Sequence, residues 1–191
     1  LGSADAIEAL WRRGGWVRRG RYFADGENAA VAALRAVAGA DAEVAGSCSL
    51  AVAAVELLRG RPAVANARLV AALSLSSMPA ELRVRCLVAQ GRSLSLDGRL
   101  DPARRALEQA WREASEQGDH RAVAAAMRVL AEVERTAGEL ARARALAEQA
   151  ADLAKQLGDR QGVAEAQLQL AEVRAWEEGG EPTRDLLNEA A

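Results

Sequence analysis

A segment of about twenty residues occurs twice in this chain, forty positions apart, and this repetition excludes most folds. Residues 118–138 read GDHRAVAAAMRVLAEVERTAG, and residues 158–178 read GDRQGVAEAQLQLAEVRAWEE. The residues that recur at the same offset include Gly118, Asp119, Val123, Ala126, Leu130, Ala131, Glu132 and Val133. A fixed period of roughly 20–50 residues is typical of a solenoid, in which each repeat buries its apolar face against its neighbour.

The composition indicates that the repeats are helical. Half of the 191 residues are apolar, but only 3% are aromatic. Ala and Leu supply most of this hydrophobicity, and these residues favour closely packed helices over strands, which are rich in β-branched and aromatic side chains. The sequence therefore predicts an all-α fold.

Glycines, prolines and short polar residues mark the ends of the predicted helices. Gly118 and Gly158 read as residues that end a helix, and the Asp119 and Asp159 that follow them read as N-caps. The Asp101-Pro102 pair reads as an N-cap followed by the first helical residue. Together with apolar spacings of three and four, these marks predict ten helices, at about 5–19, 26–38, 42–59, 62–75, 79–97, 101–117, 120–137, 139–157, 160–178 and 182–190.

Short connections make neighbouring helices antiparallel, so the helices pair into hairpins. Residues 1–3 resemble the remnant of a cleaved purification tag and are excluded from the fold. Residues 4–40 are predicted to form an irregular first hairpin, in which Gly14-Gly15 indicates either a turn or a close helix crossing. Four repeats follow, at 41–78, 79–118, 119–158 and 159–191.

Small residues recur at matching positions of these repeats, as expected where two helices cross closely. In the second helix of each hairpin the matching sets are Ala143, Ala147 and Ala150, then Ala103, Leu107 and Ala110, then Ala65, Leu69 and Ala72. In the first helix the matching pairs are Val52-Ala53, Gln90-Gly91, Leu130-Ala131 and Leu170-Ala171.

This pattern resembles the tetratricopeptide repeat (TPR), and is similar to its variety of about 40 residues found in kinesin light chains and in bacterial regulators of the MalT/LuxR type. The resemblance covers residues 42–190 and implies a right-handed α-solenoid of about five hairpins. The signature Trp of the first helix is replaced by Ser49, Leu87, Met127 and Gln167. The signature Tyr is replaced by Glu56, Leu94, Glu134 and Arg174.

The resemblance also implies a concave groove lined by the first helix of each repeat. The candidate partner-binding residues are Leu50, Ala54, Leu57, Val88, Arg92, Ser95, Arg128, Glu132, Arg135, Leu168, Glu172 and Trp176. Glu165 belongs to the same set of groove positions. Arg92, Arg128 and Arg135, each opposed by Glu132 or Glu172, are the candidates for contacting acidic groups of a partner. An alternative interpretation is that several of the groove leucines belong to the core.

The leading hypothesis is a non-catalytic domain, from a larger bacterial regulatory protein, that binds a peptide or protein. One alternative is an effector-sensing segment of a transcription regulator of the MalT/LuxR type. Another is a self-assembling scaffold or homodimer, because Leu186, Leu187 and Ala190 leave an apolar face at the end of the array.

No motif in the sequence predicts catalysis, a cofactor or a metal site. The single histidine, His120, follows an N-cap and has no nucleophile motif near it. The single lysine, Lys155, is not part of a phosphate-binding loop. Cys48 and Cys86 occupy the same register in consecutive repeats, which predicts two free, buried thiols rather than a disulfide or a zinc site.

The charge pattern argues against nucleic-acid binding as a role for this chain, whose formal net charge is −2. The string WRRGGWVRRGRY at 11–22 combines basic and aromatic residues. We interpret it as a solvated helix face with inward tryptophans, because residues 1–40 contain six arginines and four acidic residues. No apolar run has the length of a membrane span and no signal peptide is recognisable, so we expect a cytoplasmic location.

Overall fold

The computed structural model describes residues 41–177, and all regular structure in this range is α-helical. The seven helices are α1 (Ala42–Leu58), α2 (Pro62–Leu73), α3 (Ala80–Leu96), α4 (Leu100–Glu116), α5 (His120–Thr136), α6 (Leu140–Gln156) and α7 (Arg160–Glu177). Each lies within two residues of its predicted bounds. The helices predicted at 5–19, 26–38 and 182–190, the Gly14-Gly15 turn and the apolar residues near 186–190 lie outside the described residues.

The chain divides into two compact units, with the boundary between Arg99 and Leu100. In the first unit, α2 packs against both α1 and α3, and α1 also packs against α3. In the second unit, α5 packs against α4 and α6, α6 packs against α7, and α5 also packs against α7. Contact between each helix and the next, together with contact between alternate helices, is the packing of a helical repeat, so the predicted solenoid architecture is confirmed within each unit.

Glycine in a left-handed conformation ends five of the helices. Gly60, Gly98, Gly118, Gly138 and Gly158 have φ between 66° and 84°. The amide of the residue after each glycine donates a hydrogen bond to the carbonyl oxygen five positions earlier in the chain. Asp119 N, for example, donates to Ala114 O at 3.0 Å. This is the Schellman pattern, which satisfies carbonyl groups that the helix leaves unpaired. Four of these glycines are spaced by 20 residues, which is the length of one helix and its turn.

Side-chain caps begin the two helices for which the sequence predicts them most clearly. The Asp119 carboxylate accepts a hydrogen bond from Ala122 N, and the Asp159 carboxylate accepts one from Gly162 N, both at 3.0 Å. The prediction was wrong for Asp101, because α4 already begins at Leu100 and Asp101 lies in its first turn. Pro79, predicted as a helical residue, is instead the N-cap of α3.

Small side chains lie at the crossings of the helices, as predicted. The nine repeat positions of α2, α4 and α6 are all buried: Ala65, Leu69, Ala72, Ala103, Leu107, Ala110, Ala143, Ala147 and Ala150. Alanine at these positions lets neighbouring helix backbones approach closely, and the leucines fill the space between them. Among residues 41–177, no helix combines the length and apolar character that a membrane span requires.

Candidate functional site

The twelve predicted site residues lie on α1, α3, α5 and α7, the first helix of each predicted repeat. In the first unit they are Leu50, Ala54 and Leu57 on α1, and Val88, Arg92 and Ser95 on α3. In the second unit they are Arg128, Glu132 and Arg135 on α5, and Leu168, Glu172 and Trp176 on α7. Because α1 packs against α3 and α5 against α7, each unit brings its own six residues onto adjacent helices.

In the first unit, part of the predicted groove belongs to the core. Leu50 and Leu57 are partly buried and pack against the cluster that includes Leu69, Leu82 and Cys86. The alternative interpretation of the groove leucines as core residues therefore applies to these two. It does not apply to their neighbour Leu58, whose side chain is 47% exposed at the end of α1.

In the second unit, two large apolar side chains of α7 are exposed to solvent. Leu168 is 62% exposed and Trp176 is 45% exposed. Glu165, Leu168, Glu172 and Trp176 follow one another at spacings of three, four and four, which places them on one side of the helix. On α5, spacings of four and three likewise place Arg128, Glu132 and Arg135 on one side of the helix. We call the surface formed by these seven residues the α5–α7 face.

Ion pairs connect the two helices across this face. Arg128 Nη1 pairs with Glu165 Oε2, and Arg135 Nη2 lies 3.4 Å from Glu172 Oε2. The Arg135 guanidinium also lies over the Trp176 ring, 6.0 Å from its centroid, in the geometry of a cation–π contact. The predicted opposition of Arg135 and Glu172 is therefore present. Arg128 pairs with Glu165, a residue that the sequence places in the groove without identifying it as the partner of an arginine.

These pairs change the electrostatic character expected for the face. The Arg128 and Arg135 side chains are only 22% and 19% exposed, whereas Glu165 and Glu172 are 38% and 43% exposed. Because the guanidinium side chains are mostly covered, they offer less surface to an outside anion than the glutamates offer to an outside cation. The arginines thus connect α5 to α7, and the glutamates are the charges more open to solvent.

A cavity of about 150 Å³ lies at one end of the α5–α7 face. Its walls come from the first turns of α5 and α7 and the last turns of α6, and include Arg121, Arg128, Asp159, Gln161 and Glu165. Gln161 Nε2 donates to Glu165 Oε1 at 2.8 Å, so the carboxylate that pairs with Arg128 is held from a second side. This arrangement keeps Glu165 in a defined position at the edge of the face.

A buried ion pair centred on Glu134 lies among α4, α5 and α6. The Glu134 side chain is fully buried and accepts two hydrogen bonds from Arg104 of α4, from Nε and Nη2, both at 2.8 Å. Hydrogen bonding to Glu134, together with the nearby carboxylates, raises the pKa of Arg104 above its usual value. Arg142 Nη1 of α6 lies 3.3 Å from the same carboxylate. Glu134 therefore joins three consecutive helices, which the sequence analysis did not predict. The available signal was a glutamate at the repeat position where the resemblance to the tetratricopeptide repeat implies a tyrosine.

The cysteines and the histidine have the environments expected from the sequence. Cys48 and Cys86 are free and buried. Burial raises the pKa of both thiols, that of Cys86 to about 11. His120 is exposed as the first residue of α5. Within residues 41–177, no three His, Cys, Asp or Glu side chains are grouped so that they could hold a metal ion.

Comparison with solved structures identifies the fold. The chain is similar to the crystal structure of BtubC (BKLC) from P. vanneervenii, with a TM-score of 0.65 and 20% sequence identity over 83% of this chain. The match covers 66% of the BtubC chain, so this chain spans just under two thirds of the length of that protein. No protein-family model and no curated protein matches the sequence. At 20% identity the similarity shows the fold alone, which is an α-helical repeat.

Proposed function

We propose that this chain is a non-catalytic domain of the tetratricopeptide repeat family and that its second unit binds a peptide segment of a partner protein on the α5–α7 face. The observation that carries the proposal is the exposure of Leu168 and Trp176 on one side of α7. Large apolar side chains, and tryptophan above all, contribute most of the binding energy in protein interfaces when a partner covers them.

The surroundings of these two side chains support a docking role. The ion pairs between α5 and α7 hold the flanking charges in place, so a segment that covers Leu168 meets an ordered polar rim. Leu168 and Trp176 lie eight residues apart, a distance of about 12 Å along a helix at 1.5 Å per residue. An extended segment of about four residues spans that distance, so a short linear peptide is long enough to contact both.

A peptide selection with matched variants tests this proposal. Peptides are selected on the wild-type chain from a random display library, and their affinities are measured by fluorescence anisotropy. The test variant is Leu168→Ser with Trp176→Ser. The control variant is Val64→Ser with Val70→Ser, because these valines of α2 are 41% and 50% exposed and lie in the other unit. Both variants remove two exposed apolar side chains.

We expect the α7 variant to lose at least tenfold in affinity, which corresponds to about 1.4 kcal/mol, and the α2 variant to change less than twofold. Peptides that bind both variants as tightly as the wild type would show that the docking surface lies elsewhere. The origin of the chain in a bacterial transcription regulator, effector sensing and self-assembly remain predictions from the sequence.

A further inference from the structure

We propose that the segment bound on the α5–α7 face is basic and apolar, with arginine or lysine side chains on either side of an apolar residue. This proposal rests on the proposed function, because it names the chemistry of the partner at the same surface. It also reverses the charge expected from the sequence, in which the groove arginines are candidates for binding acidic groups.

The exposed charges on α7 favour a basic partner. Glu165 and Glu172 lie on either side of Leu168, and each is about twice as exposed as the arginine with which it pairs. A carboxylate oxygen has two lone pairs and can accept a further hydrogen bond while it remains paired. A basic side chain can therefore add to each pair on its solvent side, whereas the less exposed arginines offer an acidic side chain a smaller surface.

The ring of Trp176 also favours a basic partner. Its ring already has the Arg135 guanidinium 6.0 Å from its centroid, and 45% of its surface is still exposed. Both faces of an indole attract cations, because the negative lobe of the ring quadrupole lies above and below the plane. Trp176 lies four residues after Glu172 on the same side of α7, so an arginine that pairs with Glu172 is close to the ring.

The spacing along α7 sets the spacing within the partner. Glu165 and Glu172 lie seven residues apart, a separation of about 10.5 Å along the helix axis. Two residues three positions apart in a polyproline II segment are separated by about 9.3 Å and point to the same side. A segment with a basic residue at every third position therefore matches the spacing of the two glutamates, and an apolar residue on an adjoining edge of the segment can cover Leu168.

Binding of two synthetic peptides tests the inference. One consists of repeated Arg-Ala-Leu triplets and the other of repeated Glu-Ala-Leu triplets, each with a fluorescent label, titrated against the wild-type chain at low and moderate salt. The test variant is Glu165→Gln with Glu172→Gln. The control variant is Glu116→Gln with Glu148→Gln, because these exposed glutamates of α4 and α6 lie off the face and give the same change in net charge. Circular dichroism confirms that each variant is folded.

We expect the wild type to bind the arginine peptide at least tenfold more tightly than the glutamate peptide, with affinity that falls as salt rises. The test variant should lose at least fivefold in affinity for the arginine peptide, and the control variant less than twofold. Tighter binding of the glutamate peptide, or equal losses in the two variants, would overturn the inference.

A third variant separates this inference from the proposed function. Leu168→Ser should weaken the binding of whichever peptide the face prefers. If the glutamate peptide binds and Leu168→Ser weakens it, the face is a docking site of the opposite charge preference and only the inference fails. If Leu168→Ser changes the binding of neither peptide, the docking surface itself is wrong.

Discussion

Removal of the Glu134 carboxylate should destabilise the second unit strongly, because two cations of neighbouring helices depend on it. Glu134→Leu places an apolar side chain of similar size in the fully buried position, but deletes both hydrogen bonds from Arg104 and the contact with Arg142. Arg104, whose side chain is only 25% exposed, then keeps the exposed Asp101 carboxylate but loses its buried anion.

The expected loss follows from the burial of the two partners. Removing one member of a buried ion pair costs about 3–5 kcal/mol. Arg104 keeps some contact with water and also pairs with Asp101 at 3.0 Å, so the cost lies at the lower end, at about 3 kcal/mol. The double variant Arg104→Met with Glu134→Leu removes both charges and should recover most of that loss, because an apolar pair of similar volume is nearly neutral in stability.

Urea unfolding followed by circular dichroism measures both effects. The single variant should have a lower midpoint at an unchanged slope, and the double variant should have a midpoint close to that of the wild type. A double-mutant cycle with Arg104→Met then gives the coupling energy between the two side chains. If Glu134→Leu unfolds at the wild-type midpoint, or if the double variant loses the sum of the two single effects, the pair does not stabilise the fold as described.

Two further predictions concern the first unit and the helix ends. Burial raises the pKa of Cys86 from 9.0 to about 11, so between these pH values the folded state keeps the thiol protonated while the unfolded chain ionises. The free energy of unfolding should therefore be unaffected by this thiol below pH 9.0 and fall between pH 9.0 and about 11. Urea midpoints measured across this range should fall less in Cys86→Ala than in the wild type. If stability falls as steeply in Cys86→Ala as in the wild type, other titrating groups cause the fall. Gly138 ends α5 with φ of 84°, so Gly138→Ala should cost about 1–2 kcal/mol of strain in the left-handed conformation. Gly138→Asn should cost less, because asparagine adopts this conformation more readily, and equal thermal midpoints for the two variants would contradict this reasoning.

The helices, their order and their packing positions follow from local rules that the sequence displays directly. Gly118 and Gly158 end helices because glycine adopts the left-handed conformation, and Asp119 and Asp159 begin the next helices because their carboxylates accept backbone hydrogen bonds. The alanines at 143, 147 and 150 are buried because their spacing places them on one side of α6. Each of these features involves residues that are close in the chain, so a single sequence is enough to predict them.

The character of the surface depends on residues that are distant in the chain, and only the packed helices decide it. Val88, Arg128 and Leu168 occupy equivalent positions of three repeats, yet Arg128 is tied to Glu165 while Leu168 remains 62% exposed. Arg104 and Glu134 are thirty residues apart, and nothing in their local sequence pairs them. The repeat determines which side of each helix faces its neighbours, whereas ion pairing and exposure depend on the side chains that the adjacent helix presents. That is why the sequence predicts which residues share the candidate face, whereas the packed helices decide which of its charges are exposed.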